Sequence, residues 1–277
     1  MLSHRILLIS GALMMAVGVT ACASRGDRAA QQQFQEQPVE QLYNQAADLL
    51  DRRRWAEAAG AFDAVEQQHP YSSWARRAML MAAYSKYRAG DYEESITAAR
   101  EFIALHPGNE SAAYAYYLIA VSYFEQIMDV GRDQSNTENA LTSLLEITRR
   151  FPDSEYARDA RLKIDMTYDQ LAGKEMEIGR FYEDKDQHLA AINRFKKVVE
   201  DPNLQKTTHA AEALHRLVEC YISVGMTEEA QKSAAVLGYN YPDSDWYQRT
   251  YALMTGRGVA IPAAAEAERR GWLSRLF

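Results

Sequence analysis

The residue types that most often carry catalysis are present in this chain, but they are not spaced for it. The histidines beyond the N-terminus are scattered without a metal-ligand spacing, at His69, His106, His188, His209 and His215. Cys220 lies within a helical pattern that places no base beside it. Gly256-Arg257-Gly258 is not framed by a strand and a helix, as a phosphate-binding loop would be. We therefore expect no enzymatic activity, no metal and no soluble cofactor.

One cysteine has a defined chemical context, at the end of the first apolar segment. A basic start precedes the apolar run from Ile6 to Val19, which is too short for a membrane span but typical of a secretory signal. The run leads into Val19-Thr20-Ala21-Cys22, which closely resembles a bacterial lipobox. The lipobox implies that residues 1–21 are removed and that Cys22 carries a covalent lipid anchor. An ordinary secretory signal and a plain anchor helix are the alternatives.

Composition limits the kind of partner. The chain has 277 residues, a net charge of -7, 47% apolar residues and 25% charged residues, which is ordinary for a folded soluble body. A mild acidity argues against nucleic acid, which calls for a basic surface. Residues 22–38 form a polar segment without periodicity, and we interpret them as the lipidated cysteine followed by a flexible tether.

From Val39 onward, helical patterns alternate with short breaks, and small and bulky apolar residues recur in the same phase. A proline closes each pair of helical patterns, at Pro70, Pro107, Pro152, Pro202 and Pro242. The pattern predicts an all-α fold, a right-handed superhelical solenoid of about five tetratricopeptide repeats. An unrelated helical bundle is the alternative.

The predicted domain boundaries follow from segments that depart from the repeat pattern. Residues 39–152 hold repeats one to three, and residues 153–256 hold repeats four and five. The second part also includes an extra helix over residues 153–171 and a capping helix over residues 243–254. Residues 257–277 form a C-terminal tail of unassigned role.

The lipobox, the tether and the repeats together resemble the BamD family of outer-membrane assembly lipoproteins in Gram-negative bacteria. The most specific matches are local segments, namely His69 to Ala75, Gly131 to Asp133, Phe151 to Ala157 and Ala191 to Phe195. The resemblance implies a non-catalytic subunit of the β-barrel assembly machine. Such a subunit is outer-membrane-anchored, faces the periplasm, docks on the POTRA domains of BamA beside other Bam lipoproteins, and receives unfolded outer-membrane proteins. It also implies that Arg194 contacts the POTRA partner through an ion pair.

The first helix of each repeat should line the inner surface of the solenoid, through positions spaced three or four apart. In the N-terminal repeats these positions are mostly aromatic, whereas in repeats four and five they are polar or charged. Rings with hydroxyl groups suit an extended peptide with alternating apolar side chains. The predicted substrate-peptide residues are Tyr43, Leu80, Tyr84, Tyr87, Tyr114, Tyr117 and Phe124. The alternative is that these rings only pack against neighbouring helices.

Other functions remain open on the sequence alone. Another repeat lipoprotein of the envelope, such as a secretin pilotin or a Tol-linked factor, would share the anchor and the repeats. A cell-wall enzyme accessory would be a function of a different class.

Overall fold

The computed structural model describes residues 37–130 and 132–260, and every regular element among them is helical. The helices are α1 (Val39–Asp51), α2 (Trp55–Gln68), α3 (Ser73–Ala89), α4 (Tyr92–Leu105), α5 (Ala112–Glu125), α6 (Ser135–Arg150), α7 (Glu155–Glu183), α8 (His188–Glu200), α9 (Ala210–Ser223), α10 (Thr227–Asn240) and α11 (Asp245–Gly256), with a short 3₁₀ turn at Leu204–Lys206. The all-α tetratricopeptide prediction is confirmed. The helices pair as α1–α2, α3–α4, α5–α6, α7–α8 and α9–α10, and α11 follows as the cap.

The described residues divide into two compact units, residues 37–78 and 79–260. This division does not coincide with the predicted boundary after residue 152, because α6 and α7 pack across that point through Leu144, Ile147, Ala157 and Ala160. The predicted division assigns the substrate-peptide groove to residues 39–152 and partner docking to residues 153–256, and it stays a prediction. The signal peptide, Cys22 and the segment from residue 261 onward lie outside the described residues.

Proline determines where the second helix of each pair ends. α2, α4, α6, α8 and α10 all end two residues before a proline. The residue between is forced out of the α region by the proline ring, and at His69, His106, Phe151 and Tyr241 it takes nearly one conformation, with φ between -131° and -135° and ψ between 53° and 55°. The closing prolines therefore act as helix stops.

The phased small and bulky residues of the second helices form the core. The small positions are all fully buried, at Ala58, Ala99, Ala140, Ala191 and Ala230. The bulky positions are also at most 1% exposed, at Phe62, Phe102, Leu144 and Phe195. Because alanine allows two helices to approach closely and the bulky side chain fills the space beside it, the repeated pattern produces a repeated packing unit.

The extra helix expected over residues 153–171 is not a separate element. It continues without a break into the first helix of the fourth repeat, giving the 29-residue helix α7. Its N-cap is Ser154, whose side chain accepts a hydrogen bond from the Ala157 N–H. Gly173 and Gly179 lie inside α7 and are buried, so these glycines mark close packing rather than a helix end.

Candidate functional site

Four tyrosine rings from three helices contact one another in the second unit, and a fifth, Tyr87, packs on the same core cluster as Tyr84 and Tyr114. We call this surface the aromatic strip, and its members are Tyr84, Tyr87, Tyr114, Tyr117 and Tyr156. Ring centroids lie 6.5 Å apart for Tyr84 and Tyr114, 5.4 Å for Tyr114 and Tyr156, and 5.2 Å for Tyr156 and Tyr117. All five side chains are partly exposed. The strip therefore combines ring-to-ring packing with accessible aromatic area.

Several hydroxyl groups of the strip already have partners. The Tyr117 hydroxyl donates to Asp159 Oδ2 at 2.6 Å, and the Tyr87 hydroxyl donates to Glu125 Oε1 at 3.3 Å. Arg88 donates to the Tyr84 hydroxyl at 2.8 Å. These bonds hold the rings in place, so the hydroxyls offer an incoming peptide fewer free donors than the sequence suggested.

Burial and neighbouring groups raise the pKa of three tyrosines of the strip. Burial and then the Glu125 carboxylate raise the pKa of Tyr87 to about 12. Burial raises the pKa of Tyr114, and the adjacent Tyr84 and Tyr156 act in the same direction. Burial also raises the pKa of Tyr117, as does its bond to Asp159. The strip is thus a neutral aromatic surface.

A charged pair borders the strip on α7. Asp159 lies 3.1 Å from Lys163 Nζ, and Lys163 in turn lies 5.2 Å from the centroid of the Phe124 ring. Burial opposes ionisation of Asp159, but hydrogen bonds from Tyr117 and Lys163 prevail and lower its pKa. Phe124 is therefore covered on one face by a cation.

Two other predicted peptide residues have packing contacts of their own. Tyr43 belongs to the first unit, where its ring packs 5.3 Å from Phe62 and 4.9 Å from Trp74. Leu80 packs against the buried cluster formed by α3, α4 and α5. Both are partly exposed. Their peptide role stays a prediction, and Tyr43 also has a packing role in its own unit.

Arg194 on α8 is not a solvated charge. It donates to Glu175 Oε2 of α7 at 3.1 Å, and its side chain is 32% exposed. Lys197 binds the other carboxylate oxygen of Glu175 at 2.9 Å and is 55% exposed. Two cations therefore share one carboxylate, so this group of three carries a net charge of +1. We call it the basic site.

Repeats four and five carry a partly buried charged cluster, as the sequence predicted. Arg216 lies 3.5 Å from Glu183, 3.6 Å from Glu212 and 3.0 Å from Glu219, and Arg180 donates to Glu212 at 3.0 Å. Burial raises the pKa of Glu183 to about 6, although the Arg216 charge acts against the shift. Two guanidinium groups therefore share three carboxylates, so these five side chains carry a net charge of -1 when all are ionised.

Three other residues of α7 and α9 are buried. Met176 and Gly173 are buried in α7, and His215 is 5% exposed with Nδ1 2.8 Å from the Thr250 hydroxyl. An added Cβ at Gly173 would lie 3.2 Å from both Val130 and His209. The loop after α5 thus packs against α7 at this glycine.

Sequence reasoning missed Tyr156, Asp159 and Glu175 as members of these sites. Tyr156 lies in the segment predicted to form an extra helix, and its position at the start of α7 brings its ring against Tyr114 and Tyr117 of α5. Glu175 is 19 residues from Arg194, and the pairing depends on where the turn between α7 and α8 falls. Counting residues outward from that turn along both helices could have identified the pair of Arg194 and Glu175 from the sequence.

Similarity to known proteins extends over most of the chain. The family model described as YfiO, outer membrane lipoprotein, matches residues 35–237. The outer membrane protein assembly factor BamD of Caulobacter vibrioides is 49% identical over 268 residues, covering 96% of this chain and 87% of that protein. The BamD of Rickettsia prowazekii is 44% identical over 247 residues, covering 89% of this chain and 96% of that protein.

Solved structures with a similar arrangement are tetratricopeptide proteins. A thermophilic TPR protein from Thermus thermophilus matches with a TM-score of 0.38 and 18% identity, covering 79% of this chain and 100% of its own. The TPR domains of yeast Sti1 match with a TM-score of 0.42 and 10% identity, covering 79% of this chain and 84% of that chain. Within the residues that the structure describes, no helix is both long and apolar enough to cross a membrane.

Proposed function

The chain belongs to the family of the outer membrane protein assembly factor BamD, and on that premise we propose that it is a non-catalytic scaffold of the β-barrel assembly machine. In this role it is held at the outer membrane by the lipid on Cys22 and faces the periplasm. It docks on the POTRA domains of BamA, associates with other Bam lipoproteins, and presents unfolded outer-membrane proteins for insertion.

The aromatic strip is the observation that carries the substrate role. Its rings are held by one another and by fixed partners, so little side-chain order has to be created when a peptide binds. A barrel strand alternates apolar and polar residues, and the apolar side chains of such a segment fit a surface of partly exposed rings. The carboxylates and cations at its edges, at Glu125, Asp159 and Arg88, can pair with the polar side chains.

The basic site supports the docking role. Arg194 and Lys197 together carry one more positive charge than Glu175 neutralises. An acidic side chain of a partner would complete the pairing. Because Glu175 already orients the guanidinium, the contact loses less side-chain entropy on binding than a free arginine would.

Photo-crosslinking tests the substrate role. A benzoyl-phenylalanine placed at Tyr84 or Tyr117 in the full chain should capture a peptide corresponding to the last strand of an outer-membrane barrel. The control position is Tyr251 on α11, which is 55% exposed and lies outside the strip. Capture at Tyr251 that equals capture at the two strip positions would reject the strip as the binding surface.

Affinity purification from detergent-solubilised membranes tests the docking role separately. The full chain should recover BamA, and Arg194→Glu should reduce that recovery sharply because the partner's carboxylate would then face a like charge. Arg149→Glu is the matched control, since Arg149 also lies near a glutamate but is 73% exposed on α6. Recovery of a secretin or of Tol proteins without BamA would contradict the proposal as a whole.

A further inference from the structure

A cavity of 260 Å³ lies between α4, α5 and α6 in the second unit, and we call it the outer groove. Half of its lining is apolar and half is polar or charged, with Ile103, Tyr116 and Ile119 in the first group and Arg100, Ser143 and Glu146 in the second. On α5, Tyr116, Ile119 and Tyr123 are spaced three and four apart, so they share one face of the helix. The strip residues Tyr114 and Tyr117 lie on a different face of α5. The proposed function therefore leaves the outer groove unused.

Two arginines at the outer groove are held by tyrosine rings of α5. Arg100 of α4 donates to the Tyr123 hydroxyl at 3.0 Å, and its guanidinium lies 6.0 Å from the centroid of that ring. The guanidinium of Arg150, the last residue of α6, lies 5.1 Å from the centroid of the Tyr116 ring. Both distances are within the range of a cation–π contact. The two cations are therefore oriented before any ligand binds.

Only one of the two arginines is neutralised by a carboxylate. Arg150 Nε donates to Glu146 Oε1 at 2.7 Å. Within the part of the chain that the structure describes, Arg100 forms its hydrogen bond with a tyrosine hydroxyl and no ion pair with a carboxylate. Arg100, Arg150 and Glu146 together carry a net charge of +1. The excess positive charge lies beside the apolar part of the lining.

The equivalent cavity between α8, α9 and α10 has a different distribution of charge. It is likewise enclosed by the second helix of one pair and by both helices of the next pair. There Lys196 lies 2.9 Å from Glu200, and Lys232 lies 2.6 Å from Glu229. Because each of these cations has its own carboxylate, that cavity is internally neutralised. The excess positive charge is thus a property of the outer groove and not of every such cavity in the repeats.

We propose that the outer groove binds an acidic peptide segment of a partner protein. An apolar side chain of the segment packs on Ile103 and Ile119, and a neighbouring carboxylate pairs with Arg100. The volume is near the lower end of ligand pockets, about 300 Å³, and suits one anchoring side chain. Arginine and tyrosine are enriched among the residues that dominate binding energy at interfaces, and pre-ordered side chains lose less entropy on binding. Inorganic phosphate fits less well, because it does not use an apolar surface.

Fluorescence anisotropy with a defined set of peptides tests this proposal on the detergent-purified full chain. The set is Gly-Asp-X-Glu-Gly, where X is Leu, Ile, Phe or Tyr. These peptides should bind, and replacement of both acidic residues by Lys, or of X by Ser, should weaken binding about tenfold or more. These changes are made in the peptide, so they cannot alter the fold of the protein. No binding by the acidic set, or equal binding by the lysine set, would overturn the proposal.

A protein variant and its matched control locate the contact. Arg100→Glu should weaken binding of the acidic set about tenfold or more, because a like charge then faces the peptide. Lys196→Glu changes the charge at the equivalent cavity and should leave the affinity unchanged. An Arg100→Glu protein that binds as tightly as the parent would contradict the proposal, as would equal losses in the two variants.

Photo-crosslinking separates the outer groove from other surfaces. A photo-crosslinker at Ser143, on the α6 side of the groove, should capture the acidic peptide, whereas one at Leu189, which is 65% exposed on α8, should not. Capture at Tyr117 in place of Ser143 would assign the peptide to the aromatic strip and refute the proposal. Displacement by inorganic phosphate, at an ionic strength where chloride does not displace the peptide, would show a simple anion site and also refute it. None of these measurements depends on BamA or on a barrel substrate.

Discussion

Gly179 should be a position where even one methyl group destabilises the second unit. It lies in the middle of α7, and a Cβ placed there would lie 2.3 Å, 2.7 Å and 2.8 Å from three ring atoms of Phe195 on α8. Phe195 is fully buried in the largest core cluster. The ring cannot turn away without displacing its neighbours, so Gly179→Ala has to separate the two helices.

The expected cost follows from two opposing effects. Alanine is favoured over glycine within a helix by up to about 1 kcal/mol. Overpacking of a filled core costs about 1–3 kcal/mol, and three contacts below 3.0 Å place this site at the upper end of that range. We therefore expect a net loss of about 1–2 kcal/mol in the free energy of unfolding. For a unit of this size the melting temperature should fall by about 2–8 °C.

Thermal and urea unfolding followed by circular dichroism measure this change. Gly256→Ala is the control in the same unit, because its added Cβ meets no atom within 4 Å, and its effect should stay within about 0.5 kcal/mol. Combining Gly179→Ala with Phe195→Leu should cost less than the sum of the two single changes, since the smaller side chain removes the clash. A Gly179→Ala protein as stable as the parent would show that α7 and α8 can separate freely, and the packing argument would fail.

Three further results are expected. Tyr117→Phe should cost about 1 kcal/mol near neutral pH, and chemical denaturation at several pH values should show the difference disappearing as Asp159, whose pKa is lowered in the folded state, becomes protonated below about pH 4. Because burial raises the pKa of Glu183 to about 6, the parent should gain up to about 2 kcal/mol relative to Glu183→Gln as the pH falls from 7 to 4, and a flat difference would contradict that shift. Mass spectrometry of Cys22→Ala should find no acyl chains, and unchanged lipidation would reject that site.

The fold was largely predictable because its signals are local. A proline restricts the residue before it whatever the tertiary context, and the helix ends at residues 68, 105, 150, 200 and 240 follow from that restriction. The buried alanine and bulky apolar positions repeat in phase because each pair of helices packs in the same way. Local rules of this kind need no knowledge of distant contacts.

The sites were less predictable because they depend on register between distant segments. In the sequence, Gly173 is equally consistent with a helix boundary and with a point of close packing. Only the contact with Val130 and His209 in the structure decides between these two interpretations. A prediction that divides α7 into two helices also separates Tyr156 from the aromatic strip. Predicting the ion pair between Arg194 and Glu175 likewise requires the correct position of the turn between α7 and α8.

The unbroken length of α7 has a mechanical consequence. Tyr156 in the aromatic strip and Glu175 in the basic site lie 19 positions apart on the same helix, which corresponds to about 29 Å. A helix packed along its length behaves as a stiff rod, and a tilt of about 5° at one end displaces the other by about 2.5 Å over that length. That displacement is comparable to the 3.1 Å that separates Glu175 from Arg194, so a tilt of α7 by this amount is large enough to break that ion pair.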